Sequence, residues 1–203
     1  MSVYNLKANV MKAIILLATL KKEGLSNTQV LSEFLAEQLK KRRVESEIVR
    51  LVNHNIIPGT YDNMGVGDEW PAVLAKIVAA DIIIFATPIW WGNHSSEMQK
   101  VIERLDKVHD EILAGQTSRL HGKVGGIVIT GDSDGAQHII GNIANFFNAV
   151  GLVIPPYATL SVMYEGQAKE AKTSREDLWK KYEEEYTSTA EKMVAQLLKY
   201  VQR

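Results

Sequence analysis

Asp81-Ile-Ile-Ile-Phe-Ala-Thr87 runs directly into Pro88-Ile-Trp-Trp-Gly-Asn-His-Ser-Ser96. The first half is almost wholly apolar and rich in β-branched residues, the pattern of a strand covered on both faces. The second half is a polar, glycine-containing loop that leads into a helical stripe of Met98, Val101, Ile102 and Leu105. The same order of apolar run, polar loop and helix recurs at Ala13–Thr19 and at Val124–Thr130. Glu45–Leu51 alternates apolar and charged residues and reads as a half-exposed edge strand. Leu152–Ile154, closed by Pro155-Pro156, is the fifth candidate strand.

The intervening segments have readable helical faces. Val30, Leu31, Phe34, Leu35 and Leu39 form one; Trp70, Val73, Leu74, Ile77 and Val78 another; Ala136, Ile139, Ile140, Ile143, Phe146, Phe147 and Val150 a third. Ser26 with Gln29, Ser96 with Gln99 and Thr173 with Glu176 predict capping boxes, Asp68 an N-cap and Gly151 a C-terminal cap. A last helix is expected from about 174 to the end, with Leu178, Tyr182, Tyr186, Met193, Leu197 and Val201 on one side. Five strand-then-helix units in 203 residues predict a doubly wound parallel α/β sheet, and an edge-like second strand favours the five-stranded order 2-1-3-4-5. With no linker or repeat, residues 1–203 are expected to form one domain, with 1–10 as a loose arm.

Composition narrows the function. Lys plus Arg number 23 and Asp plus Glu 24, so neither nucleic acid nor an anionic membrane is expected as a partner. Cysteine is absent, which removes thiolate nucleophiles, disulfides, Cys-ligated zinc and iron–sulfur clusters and favours a cytoplasmic setting. The apolar run Ala13–Leu20 is too short for a signal peptide, and Ile77–Trp91 is broken by Asp81, so a soluble chain is expected. The five histidines are scattered, and no metal site is expected.

In the 2-1-3-4-5 order, ligands bind beyond the carboxyl ends of the strands where the order reverses, between strands 1 and 3. Three loops converge there: Thr19–Thr28, Thr87–Ser96 and Thr130–Gln137. Ser26, Asn27 and Thr28 at a helix start suit an anion, against the plain reading that Ser26 only caps the helix. A nucleoside-triphosphate loop is excluded, because Gly24 is followed by Leu25-Ser26 rather than Lys-Ser. Trp90 and Trp91 cannot both turn to the core, so at least one faces a ligand or partner. Gly131-Asp-Ser133-Asp-Gly135 has the spacing of a nucleophile elbow, but the sole later histidine, His138, lies one turn away on the same helix, so a hydrolase using Ser133 lacks its base.

Together, Gly24-Leu-Ser-Asn-Thr28, Thr87-Pro-Ile-Trp-Trp-Gly-Asn-His-Ser-Ser-Glu-Met98 and Thr130-Gly-x-x-x-Gly-x-Gln137 resemble the flavodoxin-like NAD(P)H-dependent FMN reductases, with the tryptophan-repressor-binding-protein type of quinone reductase as nearest cousin. The similarity covers about Met11–Tyr164. It implies FMN, with its phosphate on Ser26, Asn27 and Thr28 beside Thr19. It implies a ring cradled by Pro88, Ile89, Trp90, Trp91, Gly92 and Asn93, with Thr130, Gly131, Asp132, Gly135 and Gln137 on the far side. It implies NAD(P)H as hydride donor and a quinone, free flavin or similar small molecule as acceptor, in a homodimer or homotetramer. No acid–base residue is obligatory, and Trp90, Trp91 and His94 are the candidates for the substrate face. Asp132–Asp134 depart from the more glycine-rich loop of the quinone reductases. A non-enzymatic, flavodoxin-type electron carrier is the alternative, disfavoured by a net charge of −1. The segment Val52–Gly67, with Tyr61, is expected to be a lid or a subunit contact.

Overall fold

The computed structural model describes residues 10–168 and 170–201. Apart from Val10, the expected N-terminal arm lies outside the described residues. The elements are β1 (Lys12–Leu17), α1 (Asn27–Lys41), β2 (Glu45–Arg50), α2 (Trp70–Ala79), β3 (Ile82–Pro88), α3 (Ser96–Arg104), α4 (Asp106–Leu113), β4 (Val124–Gly131), α5 (Ala136–Ala149), β5 (Thr159–Met163) and α6 (Arg175–Tyr200), with short 3-10 turns at Leu51–Asn53 and Glu165–Gln167. The sheet order is β2-β1-β3-β4-β5 and every pairing is parallel. This is the flavodoxin-like arrangement.

Alternation along the strands divides the core in two. Ile14, Leu16, Ile83, Phe85, Ile127 and Ile129 face α2, α3 and α5. Ala13, Ile15, Ile82, Ile84, Val124 and Val128 face α1 and α6. Adjacent glycines in β4 let both layers approach. A Cβ on Gly125 would stand 2.5 Å from the Phe147 ring of α5, and one on Gly126 would stand 2.9 Å from Met193 of α6.

Four local expectations are corrected. Leu152–Ile154 is not the fifth strand: Val153 makes an isolated bridge to Val124, and the ladder stops at Pro155-Pro156, which have no N–H to give. The chain turns through Tyr157, φ 59°, and re-enters beside Ile127 as Thr159–Met163. The cap of α3 is Ser95, not Ser96, with its Oγ accepting from the Met98 amide. The capping box of α6 is Ser174 with Asp177, one residue beyond the expected pair. At α1, Ser26 accepts from Gln29 N, but the Gln29 carboxamide turns to Glu33 and Arg50 instead of closing the box. Gly151 ends α5 as expected, its amide donating to Asn148 O and that of Leu152 to Phe147 O.

Asp68 does more than cap. Its carboxylate accepts from Arg104 Nη2 at 2.7 Å with both side chains fully buried, and Arg104 also donates to Ile57 O. Asp68 accepts from Trp70 N at 3.2 Å, while helix α2 itself opens after Glu69. Arg119 reaches back to Asp62 at 2.9 Å. The 52–67 segment is therefore tied along α3 and α4 by two ion pairs and is not a free lid.

Burial pushes the Asp68 carboxyl up, but Arg104 and the amides of Met64, Trp70 and Ile57 outweigh it and hold the pKa at about 2. Because the folded value lies below the unfolded value near ~4, this carboxylate contributes on the order of 2 kcal/mol above pH 4. That contribution is lost as the pH falls from about 4 through 2. Urea midpoints measured across that window are expected to drop in the native chain. In Asp68→Asn the same stretch flattens, and stability at pH 7 falls by about 3 kcal/mol because Arg104 is left buried and unpaired.

Candidate flavin site at the carboxyl rim

The three loops meet at the carboxyl ends of β1, β3 and β4, joined by buried hydrogen bonds. Thr28 Oγ1 lies 2.6 Å from Thr130 Oγ1, linking the first loop to the third. Ser95 Oγ donates to Ala18 O at 2.6 Å, linking the second to the first, and Ser95 N donates to Thr87 Oγ1. Ile89 N donates to Thr130 O at 2.9 Å. Each bond satisfies a polar group that burial would otherwise leave costly.

The tryptophans sit on a two-residue turn. Trp90 N donates to Asn93 O at 2.8 Å and Asn93 N to Trp90 O at 2.9 Å, and both central residues have positive φ, Trp91 at 50° and Gly92 at 75°. A tryptophan in the left-handed region is strained by about 1 kcal/mol, so its surroundings must hold it. Asn93 does so on one side, its Nδ2 donating to Trp91 O and its Oδ1 facing His138 Nε2 at 3.1 Å. On the other, His94 Nε2 meets Asn142 Oδ1 at 3.2 Å. Neither indole enters the core: Trp90 is 42% exposed and Trp91 96%. His94, by contrast, is latched to α5 rather than presented to the open face.

In the first loop the expected side chains divide. Asn27 Nδ2 is committed to Gln167 O at 2.9 Å, Thr28 to Thr130, and Thr19 Oγ1 accepts from Lys21 N. The buried Ser26 hydroxyl accepts from Gln29 N and keeps its own proton to donate. The first-turn amides of α1, which a helix start leaves without intrahelical acceptors, complete an anion-binding set at the positive end of the helix.

In the third loop, Gly135 packs against the tryptophan turn so closely that a Cβ would lie 2.8 Å from Gly92 Cα. Gly131 backs onto Ile89. Asp132, Ser133 and Asp134 are exposed, and Gln137 is exposed on the first turn of α5. Ser133 Oγ donates to Asp132 at 3.3 Å while His138 faces Asn93, so no histidine serves Ser133 as base.

These features suit a phosphorylated flat ring: amides and a hydroxyl for the phosphate, an open aromatic turn for the ring, and glycine contacts that shape its wall. Arg50, His138, Asn142 and Gln167 escaped the sequence reading. Arg50 alone had a visible signal, as the last residue of the strand beside β1. A separate cleft of roughly 320 Å³, lined by Lys12, Glu47 and Lys76, lies at the amino ends of β1 and β2, away from these loops. No group of three or more metal-ligating side chains occurs among the described residues.

The sequence profile of the NADPH-dependent FMN reductases matches residues 11–166. The chain belongs to this family. It is 34% identical over 160 residues to the 8-demethyl-8-aminoriboflavin-5′-phosphate synthase of Streptomyces davaonensis, covering 73% of this chain and 62% of that protein. It is 33% identical over 153 residues to a protein of Mycobacterium bovis described as the divalent metal cation transporter MntH, again 73% of this chain but 22% of the other. The chain thus spans about a fifth and about three-fifths of these curated relatives. Among solved structures, RosB with bound 8-demethyl-8-formylriboflavin-5′-phosphate superposes with a TM-score of 0.76 at 26% identity, covering 94% of this chain and 79% of that one. The NAD(P)H:acceptor oxidoreductase FerB from Paracoccus denitrificans gives 0.66 at 17% identity, over 95% of this chain and all of that one, and shows the fold alone.

The family places weight on the contact between the second and third loops. Gly135→Ala is expected to push the tryptophan turn away from α5. In amide and indole NMR of the cofactor-free protein, the Trp91 indole signal shifts while those of Trp70 and Trp179 stay in place.

Proposed function

We propose that this chain is an FMN-dependent oxidoreductase of one flavodoxin-like domain, passing a hydride from NAD(P)H through bound FMN to a quinone, free flavin or similar small acceptor. The observation that carries the reading is the joining of an anion-binding helix start, an exposed strained tryptophan turn and a glycine-walled third loop at one rim. Family membership supports it.

FMN, when bound, supplies hydride acceptance and release, and the chain supplies binding, orientation and electrostatics. Ser26 and the first-turn amides hold the phosphate, backed by the α1 dipole. Trp91 offers a flat exposed face against which a planar substrate stacks. Backbone N–H groups of Gly131–Gly135 are donors for the ring edge that becomes negative on reduction. NAD(P)H leaves oxidised, and the acceptor gains the hydride together with one proton from solvent. No side chain has to change protonation state, which agrees with the absence of a free acid–base group at the rim: His94 and His138 are both engaged by asparagines.

A homodimer or homotetramer in the cytoplasm completes the reading. Trp91, Tyr61, Val66 and Leu113 are large apolar side chains left exposed in one copy, which supports a covering partner. No described helix is long and apolar enough to cross a membrane. Similarity to the aminoriboflavin-phosphate synthase favours a second reading, in which the flavin phosphate is itself the substrate.

The purified protein is expected to be yellow and to release FMN on denaturation. It should oxidise NADPH steadily when a quinone is present; failure to turn over with FMN bound would leave only an electron carrier. Flavin recovered after turnover has the mass of unchanged FMN on the first reading and an altered mass on the second. Trp91→Ala is expected to raise the acceptor KM about tenfold with kcat nearly unchanged, as loss of a stacking contact of about 1 kcal/mol implies.

A further inference from the structure

We propose that Arg50, at the carboxyl end of β2, makes the site select a phosphorylated flavin over its dephosphorylated form by holding the first loop in its anion-binding shape. The proposal rests on the flavin-binding reading above and adds a positioning residue outside the three loops.

The guanidinium grips both sides of the loop. Its Nε and Nη2 donate to the Lys21 carbonyl at 3.0 and 2.6 Å, and its Nη1 donates to Gln29 Oε1 at 3.0 Å. Lys21 lies in the exposed stretch after β1, and Gln29 lies in the first turn of α1, so one planar fork spans the segment that carries Ser26. Lys21 Nζ closes the same stretch on itself by donating to Leu25 O at 2.8 Å. Residues 20–25 are exposed and bury little apolar surface, so their order depends on such bonds. A lysine at position 50 cannot reproduce the two-point grip, because its ammonium has no fixed fork.

The charge matters as much as the grip. All three hydrogen bonds of Arg50 go to neutral acceptors, so no direct ion pair cancels its charge beside the start of α1. Gln29 stands between Arg50 and Glu33, donating to the Glu33 carboxylate at 2.8 Å while accepting from Arg50. Glu33 is in turn paired with Arg175. The carboxylate that would otherwise neutralise Arg50 is thus kept one residue away, and an anion at the helix start feels the full guanidinium charge.

The test is a pair of fluorescence titrations, with FMN and with riboflavin, on the cofactor-free native chain, Arg50→Ala and Arg50→Lys. Thermal unfolding of each, with and without inorganic phosphate, is measured alongside. In Arg50→Ala, FMN affinity is expected to fall about tenfold or more while riboflavin affinity changes less than about twofold, as removal of a charge-assisted fork implies. Phosphate stabilises the native chain and ceases to stabilise this variant. Arg50→Lys lies between the two, with a steeper loss on added salt. Equal weakening of both flavins, or an unchanged FMN-to-riboflavin ratio, overturns the proposal. A native chain that binds neither flavin brings down the cofactor reading itself, and this proposal with it.

Discussion

Thr28 and Thr130 meet through hydroxyl oxygens 2.6 Å apart in a buried place between the start of α1 and the end of β4. With Ser95 Oγ on Ala18 O, this contact ties the carboxyl ends of β1, β3 and β4 into one rim. A parallel sheet alone does not bring this about. It sets the ends of neighbouring strands about 5 Å apart, but the loops beyond them are free to diverge unless polar groups hold them. Here the hydroxyls of the hinge residues are spent on holding the loops together. Binding falls to the groups that remain: the Ser26 hydroxyl, the first-turn amides and the exposed indoles.

That division corrects a natural assumption about polar loops. Asn27 and Thr28 look like ligands, yet their side chains are anchors, one to Gln167 and one to Thr130. His94 and His138 look like chemistry, yet both brace the tryptophan turn through asparagines. The turn needs bracing because Trp91 stands at φ 50°, where glycine would be at ease. Placing an indole there raises it clear of the rim, almost fully exposed. A flat partner then meets a face that has little more order to lose on binding.

The other side of the molecule obeys a similar economy. Asp68 and Arg104 are buried together beneath the Trp70 ring, with the guanidinium carbon 5.5 Å from its centroid. They fix a long connection that would otherwise be free to swing. A connection of that length reads from composition as a lid, because nothing local shows that an arginine 36 residues later will seize its last carboxylate.

The sequence by itself determined the strand order, the two helical layers and the location of the rim. These follow from local quantities: the length of each apolar run, the helical spacing of Leu, Ile and Phe, and the right-handedness of crossovers. It also pointed to the three loops, since glycine, hydroxyl and aromatic residues cluster in them. It misplaced the fifth strand, because the alternation in Thr159–Met163 is weaker than the apolar run before Pro155-Pro156, and only pairing with β4 reveals which segment fills the edge. Tertiary structure alone decided which polar groups face a ligand and which face one another. A hydrogen bond between Thr28 and Thr130, or between Arg50 and Lys21, depends on where two distant stretches arrive, and that is set by packing of the whole core rather than by either stretch.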